Sequence, residues 1–273
     1  MVLTSASVDE SRSNCCQSEI QMNTDRFQVI TPSNRENYRD LVRGFTKAAW
    51  PEFMLHDQVA NELWHELLDR FADYQLAFYD RDEKRVAAMG NSFPLRWNYP
   101  LEALPEAGWD WAFAEAVNHH KQNLAPNMQC AIQVVIQADY QGHGLSAMVL
   151  KALRSVGQSK DLKHLIVPVR PNEKSRYPLI SIDDYIKWEA DEGLPFDAWL
   201  RVHVRLGGRI IKTCHESKII RGTRLEWEQW TNIKFPQSGD YIIPGALSPI
   251  QVNIEKDDGL YIEPNVWMAH EIN

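Results

Sequence analysis

One stretch, residues 129–159, constrains this chain more than any other. Cys130-Ala131-Ile132-Gln133-Val134-Val135-Ile136 is an apolar, β-branched run of strand length. Residues 137–140 leave the sheet, and Gln141-Gly142-His143-Gly144-Leu145-Ser146 turns a corner. Ala147-Met148-Val149-Leu150-Lys151-Ala152-Leu153 then carries apolar residues at helical spacing. Small residues let such a corner fold tightly and point several N–H groups one way. Those donors, with the positive end of the helix behind them, form a cradle for an anionic group such as a diphosphate.

The wording of this stretch resembles motif A of the GCN5-related N-acetyltransferase (GNAT) superfamily. The family pattern Gln/Arg-x-x-Gly-x-Gly/Ala reads here Gln141-x-x-Gly144-x-Ser146, with a serine, still small, in the last place. The resemblance implies that the turn, Gln141, Gly142, His143, Gly144, Leu145 and Ser146, binds the pyrophosphate of acetyl-CoA or another acyl-CoA. It also implies that the strand at Val134, Val135 and Ile136 splays to admit the pantetheine arm. The expected fold is α/β, a central twisted mixed sheet with helices on both faces, carrying insertions and a C-terminal extension.

The order of elements agrees with that resemblance. Residues 26–30 alternate as a first strand, and residues 38–45 put Tyr38, Leu41, Val42 and Phe45 on one helix face. Asp57 caps a second helix with Val59, Leu63, Trp64, Leu67 and Phe71 inward. Strands over 74–79 and 85–93 flank the charged turn 80–84. Pro94, Pro100 and Pro105 break the chain before a helix over 109–122, whose His119 and His120 point about 100° apart and read as surface residues. Residues 164–170 form the next strand, with Pro168 fitting an incomplete ladder. A helix is expected over 182–191, and Thr223 with Glu226 opens another in a capping box. These boundaries give an N-terminal arm over 1–24 and a domain over 25–214. That domain carries insertions near 94–127 and 171–195, and residues 215–273 form an extension packed on the core.

Composition narrows the partners. A formal charge of -8 disfavours a nucleic-acid groove or an anionic membrane surface. No run of about 18 apolar residues spans a membrane. Cys15, Cys16, Cys130 and Cys214 give neither a disulfide framework nor metal-ligand spacing, so no metal is expected and the compartment is reducing and cytoplasmic. The first residues are polar and Ser-rich, unlike a signal peptide.

The closing segment 196–211 resembles the family's Ala-x-x-Leu-Tyr-Glu-Lys-Leu-Gly-Phe motif. His203 stands where the family's tyrosine protonates the departing thiolate, and Asn172 is carried over for the family's asparagine. Imidazole exchanges protons near neutrality, whereas a phenol is chiefly a donor. Val202-His203-Val204-Arg205-Leu206-Gly207-Gly208 is also similar to a string in malonyl-CoA decarboxylases with GNAT-type domains. There the histidine protonates carbon. Glu52, in the connection that borders the acceptor site in this family, is the candidate base, with a loop residue as the plainer reading.

The implied activity is acyl transfer, foremost N-acetylation, from coenzyme A to a small-molecule amine by direct attack. A malonyl-CoA decarboxylase or carrier-protein acyl loader built on His203, with an acyl carrier protein as partner, is the alternative. A silent acyl-CoA-binding module is a third reading. The aromatic C-terminal segment leaves room for a homodimer contact.

Overall fold

The computed structural model describes residues 26–45 and 49–272. The expected N-terminal arm lies outside them. Strand β1 (Phe27–Ile30) leads into helices α1 (Tyr38–Val42), α2 (Gln58–Leu63) and α3 (Glu66–Asp69). Strands β2 (Gln75–Asp80) and β3 (Arg85–Leu95) form a hairpin, and α4 (Gly108–Lys121) precedes β4 (Met128–Ile136). Helix α5 (Leu145–Gln158), β5 (His164–Val169), and helices α6 (Ile182–Tyr185) and α7 (Ala198–Arg205) come next. Strand β6 (Arg209–Gly222), α8 (Arg224–Thr231), β7 (Gly239–Tyr241), β8 (Ile250–Asn253) and β9 (Asp258–Glu271) complete the chain.

The strands make one mixed sheet of nine in the order β1-β2-β3-β4-β5-β9-β8-β7, with β6 also on β9. Among the described residues only β4 and β5 run parallel, and the other pairs are antiparallel. Helix α5 buries Leu145, Val149 and Leu153 on one face of the sheet, where α6 supplies Ile182 and Tyr185 and α7 supplies Leu200. On the other face α4 packs Ala112, Phe113, Ala116 and Val117 against Cys130, Ile132, Cys214 and Trp267. Each such buried aliphatic or aromatic side chain contributes about 1.5–3 kcal/mol. Helix α4 shares that face with Leu67 and Phe71, so the insertion is part of a core layer.

Four expectations change. Residues 215–273 are not laid over a finished core: β6 runs through position 214, and β9 sits inside the sheet beside β5. The second helix breaks into α2 and α3, although Asp57 does cap it, accepting from the Ala60 N–H at 2.6 Å. The helix expected over 182–191 is the single turn α6, because a reversal with Glu192 at φ 68° pairs Glu189 with Pro195. Strand β3 also continues through Pro94, which stands opposite Gln129. Among the described residues, no helix is long and apolar enough to cross a membrane.

Candidate acyl-carrier cleft

Strands β4 and β5 pair only at Gln129–Leu165 and Cys130–Ile166. Beyond that apex they part, while each keeps its outer partner: β4 stays on β3 out to Ile136, and β5 stays on β9 out to Val169. The opening is therefore a splay between two firmly held strands. Pro168 lies on the splayed stretch, where its missing N–H costs least. Past residues 130 and 166 the facing edges of β4 and β5 have no ladder pairing with each other.

A cleft of about 600 Å³ fills this splay, within the usual range for small-molecule sites. One wall is residues 131–136 and the other residues 167–170. Ala49, Trp50 and Pro51 close one side, and Ala198, Trp199 and Val202 of α7 another. The mouth is the turn expected from the sequence: Gln141, Gly142, Gly144, Leu145 and Ser146 line it. Gly142 and Gly144 have φ of 79° and 75°, in the left-handed region that disfavours side chains. At Gly142 a Cβ would meet nothing within 4 Å, so the dihedral angle and not crowding asks for glycine there. Gly144 is the N-cap of α5; the Ala147 and Met148 N–H groups bond its carbonyl, which leaves those of Leu145 and Ser146, both lining the mouth, as the helix-start donors without an intrahelical acceptor.

The predicted residues separate cleanly. Val134, Val135, Ile136, Gln141, Gly142, Gly144, Leu145, Ser146 and Asn172 all line the cleft. His143 is exposed on the same turn and does not. Glu52 lies next to Pro51, but its side chain is 61% exposed and meets His56 at 3.3 Å outside the cleft wall. It is not placed to act as base.

His203 needs a larger correction. One residue along α7 from cleft-lining Val202, it is rotated by about 100° and turned into the core. It is fully buried, and its Nδ1 lies 2.8 Å from His270 Nε2. Burial, and secondarily the neighbouring His270, holds its pKa well below the usual imidazole value. A neutral imidazole that does not reach the cleft cannot protonate a leaving thiolate or a carbanion there. The sequence motif located the helix turn correctly but not the side that faces the ligand.

Two polar residues brace the walls of the cleft. Arg170, at the end of β5, donates from Nε to Glu263 Oε2 at 2.9 Å and from Nη2 to the Gly245 carbonyl at 2.5 Å, beside the Trp50 ring. This ties the far wall to β9 and the C-terminal segment. Asp197 caps α7 and also accepts from the Glu173 N–H and the Tyr185 hydroxyl, pinning the 171–195 insertion beside the cleft. Among the described residues no group of three His, Cys, Asp or Glu is placed to hold a metal ion.

No family model matches the chain. It is 31% identical over 252 residues to arginine N-acetyltransferase avaD of Aspergillus versicolor, spanning 82% of this chain and 86% of that protein. Among solved structures it is similar to the loading GNATL domain of CurA from Lyngbya majuscula, with a TM-score of 0.57 and 15% identity over 90% of this chain and 98% of that one. The GphF GNAT-like decarboxylase in complex with isobutyryl-CoA gives a TM-score of 0.55 and 12% identity, over 91% and 100%. At these identities the two structures speak for a shared fold.

Proposed function

The chain belongs to the GCN5-related N-acetyltransferase superfamily and is an acyltransferase, and from that premise we propose that it acetylates arginine or a similar basic amine with acetyl-CoA. The observation that carries the reading is the splay of β4 from β5 with a left-handed glycine turn at its mouth. Diphosphate would sit on the N–H groups of residues 142–146, charge-complementary to the start of α5. The pantetheine arm would run along Val134 to Ile136, bonding the free edge of β4, with its thioester toward the apex. There the acceptor nitrogen attacks the carbonyl carbon, a C–N bond forms, and the C–S bond breaks to release the thiolate. Backbone N–H groups on the open edge of β4 stabilise the oxyanion. With Glu52 and His203 off the cleft, water in the open cleft serves as the proton carrier in this reading. Asn172 supplies a polar contact on the β5 side.

The decarboxylase alternative requires a proton donor to carbon, and the burial of His203 against His270 weighs against it.

The test is incubation with acetyl-CoA and an amine panel led by L-arginine, following free thiol and product mass. Arginine-dependent thiol release with an acetylated product supports the proposal. Carbon dioxide release from malonyl-CoA without amine would replace it with the alternative. Gly144→Glu should abolish acyl-CoA binding by calorimetry, since it sets a carboxylate and a β-carbon where the diphosphate goes; unchanged binding would refute the site.

A further inference from the structure

A row of three side-chain amides crosses the sheet and ends at the cleft. Gln75 on β2 stands opposite Asn91 on β3, and Asn91 stands opposite Gln133 on β4. Directly opposed residues of antiparallel strands share a face with Cβ atoms about 4.5–5.5 Å apart. All three are buried: Gln75 fully, Asn91 at 4% exposure and Gln133 at 8%. Gln75 is well satisfied, donating from Nε2 to the carbonyls of Phe71 and Ser92 at 2.7 Å each and accepting from Asn91 Nδ2 at 2.8 Å. The row then stops short. Asn91 Oδ1 and Gln133 Oε1 are both buried and have no hydrogen-bond partner among the described residues.

Two neighbouring carbonyl oxygens with no proton between them form an unfinished network, and burying such a group unpaired costs about 1–3 kcal/mol. A half-turn of the Gln133 amide completes it: Nε2 is then offered to Asn91 Oδ1, and Oε1 turns toward the cleft, which Gln133 lines. In that orientation the amide oxygen of Gln133 is ready to accept from a nitrogen in the cleft.

Position decides which nitrogen. Gln133 lies three residues before Ile136 and three past Cys130 at the apex, and so about 10 Å in from the end of β4 that leads to the glycine turn. By alternation it shares a face with Val135, which packs with Tyr38 of α1, whereas Val134 and Ile136 pack with the α5 cluster. A carrier seated on the α5 turn thus brings its thioester to the apex, and Gln133 opens on the opposite, α1 face. Resting on the function proposed above, we infer that Gln133, oriented by Asn91 and Gln75, recognises the cationic nitrogen end of the acyl acceptor.

The test compares wild type with Gln133→Leu and with Gln133→Met, which matches glutamine in length but has no oxygen. Steady-state kinetics with L-arginine and acetyl-CoA is paired with calorimetry of L-arginine binding to the coenzyme A-saturated protein. The expected result is an L-arginine KM and Kd raised about tenfold or more, the scale of a lost hydrogen bond to a charged group, with the acetyl-CoA KM unchanged. Met retains a folded variant if Leu does not. A raised acetyl-CoA KM with the arginine KM unmoved would assign the oxygen to the carrier and overturn the inference; so would no change in either. Wild type inert toward L-arginine and the whole amine panel would instead sink the proposed function, a distinct outcome.

Discussion

Replacing Asp197 with alanine tests whether the cleft wall depends on one buried carboxylate. Asp197 is 1% exposed. Its Oδ1 accepts from the N–H groups of Trp199 at 2.9 Å and Leu200 at 3.1 Å, capping α7, and its Oδ2 accepts from the Glu173 N–H at 2.8 Å and the Tyr185 hydroxyl at 2.9 Å. Loss of the cap costs about 1 kcal/mol. Two donors left without partners in the core add about 1–3 kcal/mol each, less what water recovers at half-buried Glu173. The sum is about 3–5 kcal/mol, or roughly 10 °C in Tm for a chain of this size. Because Ala198, Trp199 and Val202 line the cleft from the helix it caps, acyl-CoA affinity should fall with stability. Asp197→Asn keeps the cap oxygen, and the Tyr185 hydroxyl can turn to accept from the new amide. Only the Glu173 N–H then loses its partner, so the Asn variant should fall about midway. Thermal unfolding by circular dichroism with calorimetry of acyl-CoA binding reads both effects. An Ala variant melting within about 2 °C of wild type, less than the cap alone should cost, would refute the account.

Gly90→Ala should destabilise by about 1–3 kcal/mol in denaturant titration, because its Cβ would lie 2.7 Å from Val149 Cγ1 and 3.1 Å from Leu153 Cδ1 on α5. Adding Val149→Ala should recover part of that, and strict additivity would show that the two do not meet. Lys218→Met should cost about 3–5 kcal/mol, since it strands Asp57 and Asp110, which lie 3.0 and 3.2 Å from Lys218 Nζ. Adding Asp57→Asn and Asp110→Asn should restore much of the melting temperature, and no recovery would refute the charge argument. His215 is held between Asp183 and Glu106, whose carboxylates raise its pKa above the usual imidazole value. A raised pKa means that its stabilisation is full below about pH 6.5, the unfolded value, and is lost as pH rises through the folded one. Wild type should therefore lose more Tm than His215→Gln as pH climbs from 6 toward 9, and parallel curves would exclude the clamp.

What the sequence disclosed about this fold is what is encoded locally. The run from Cys130 to Ile136 reads as a strand, the positive-φ glycines at 142 and 144 as a turn, and the residues after Ser146 as a helix, because each signal lies within one element. The placement of β9 beside β5 was hidden, since it depends on pairing residues about a hundred positions apart, such as Leu165 with His270. The 215–273 segment consequently read as an extension. His203 failed for a finer reason: the Gly207 motif fixes a position along α7, but one residue is about 100° of rotation, and only packing shows that Val202 faces the cleft while His203 faces His270. The amide row was the least visible feature. Gln75, Asn91 and Gln133 come from three strands, and their alignment depends on a register that shifts between Asn91 and Ser92. The glycine turn at the mouth of the cleft is thus written in contiguous residues, which is why it resembles its family so plainly. The Gln133 end is assembled from register and rotation, so on the function proposed here selectivity among amines would change by single residues such as Gln133 without altering the turn.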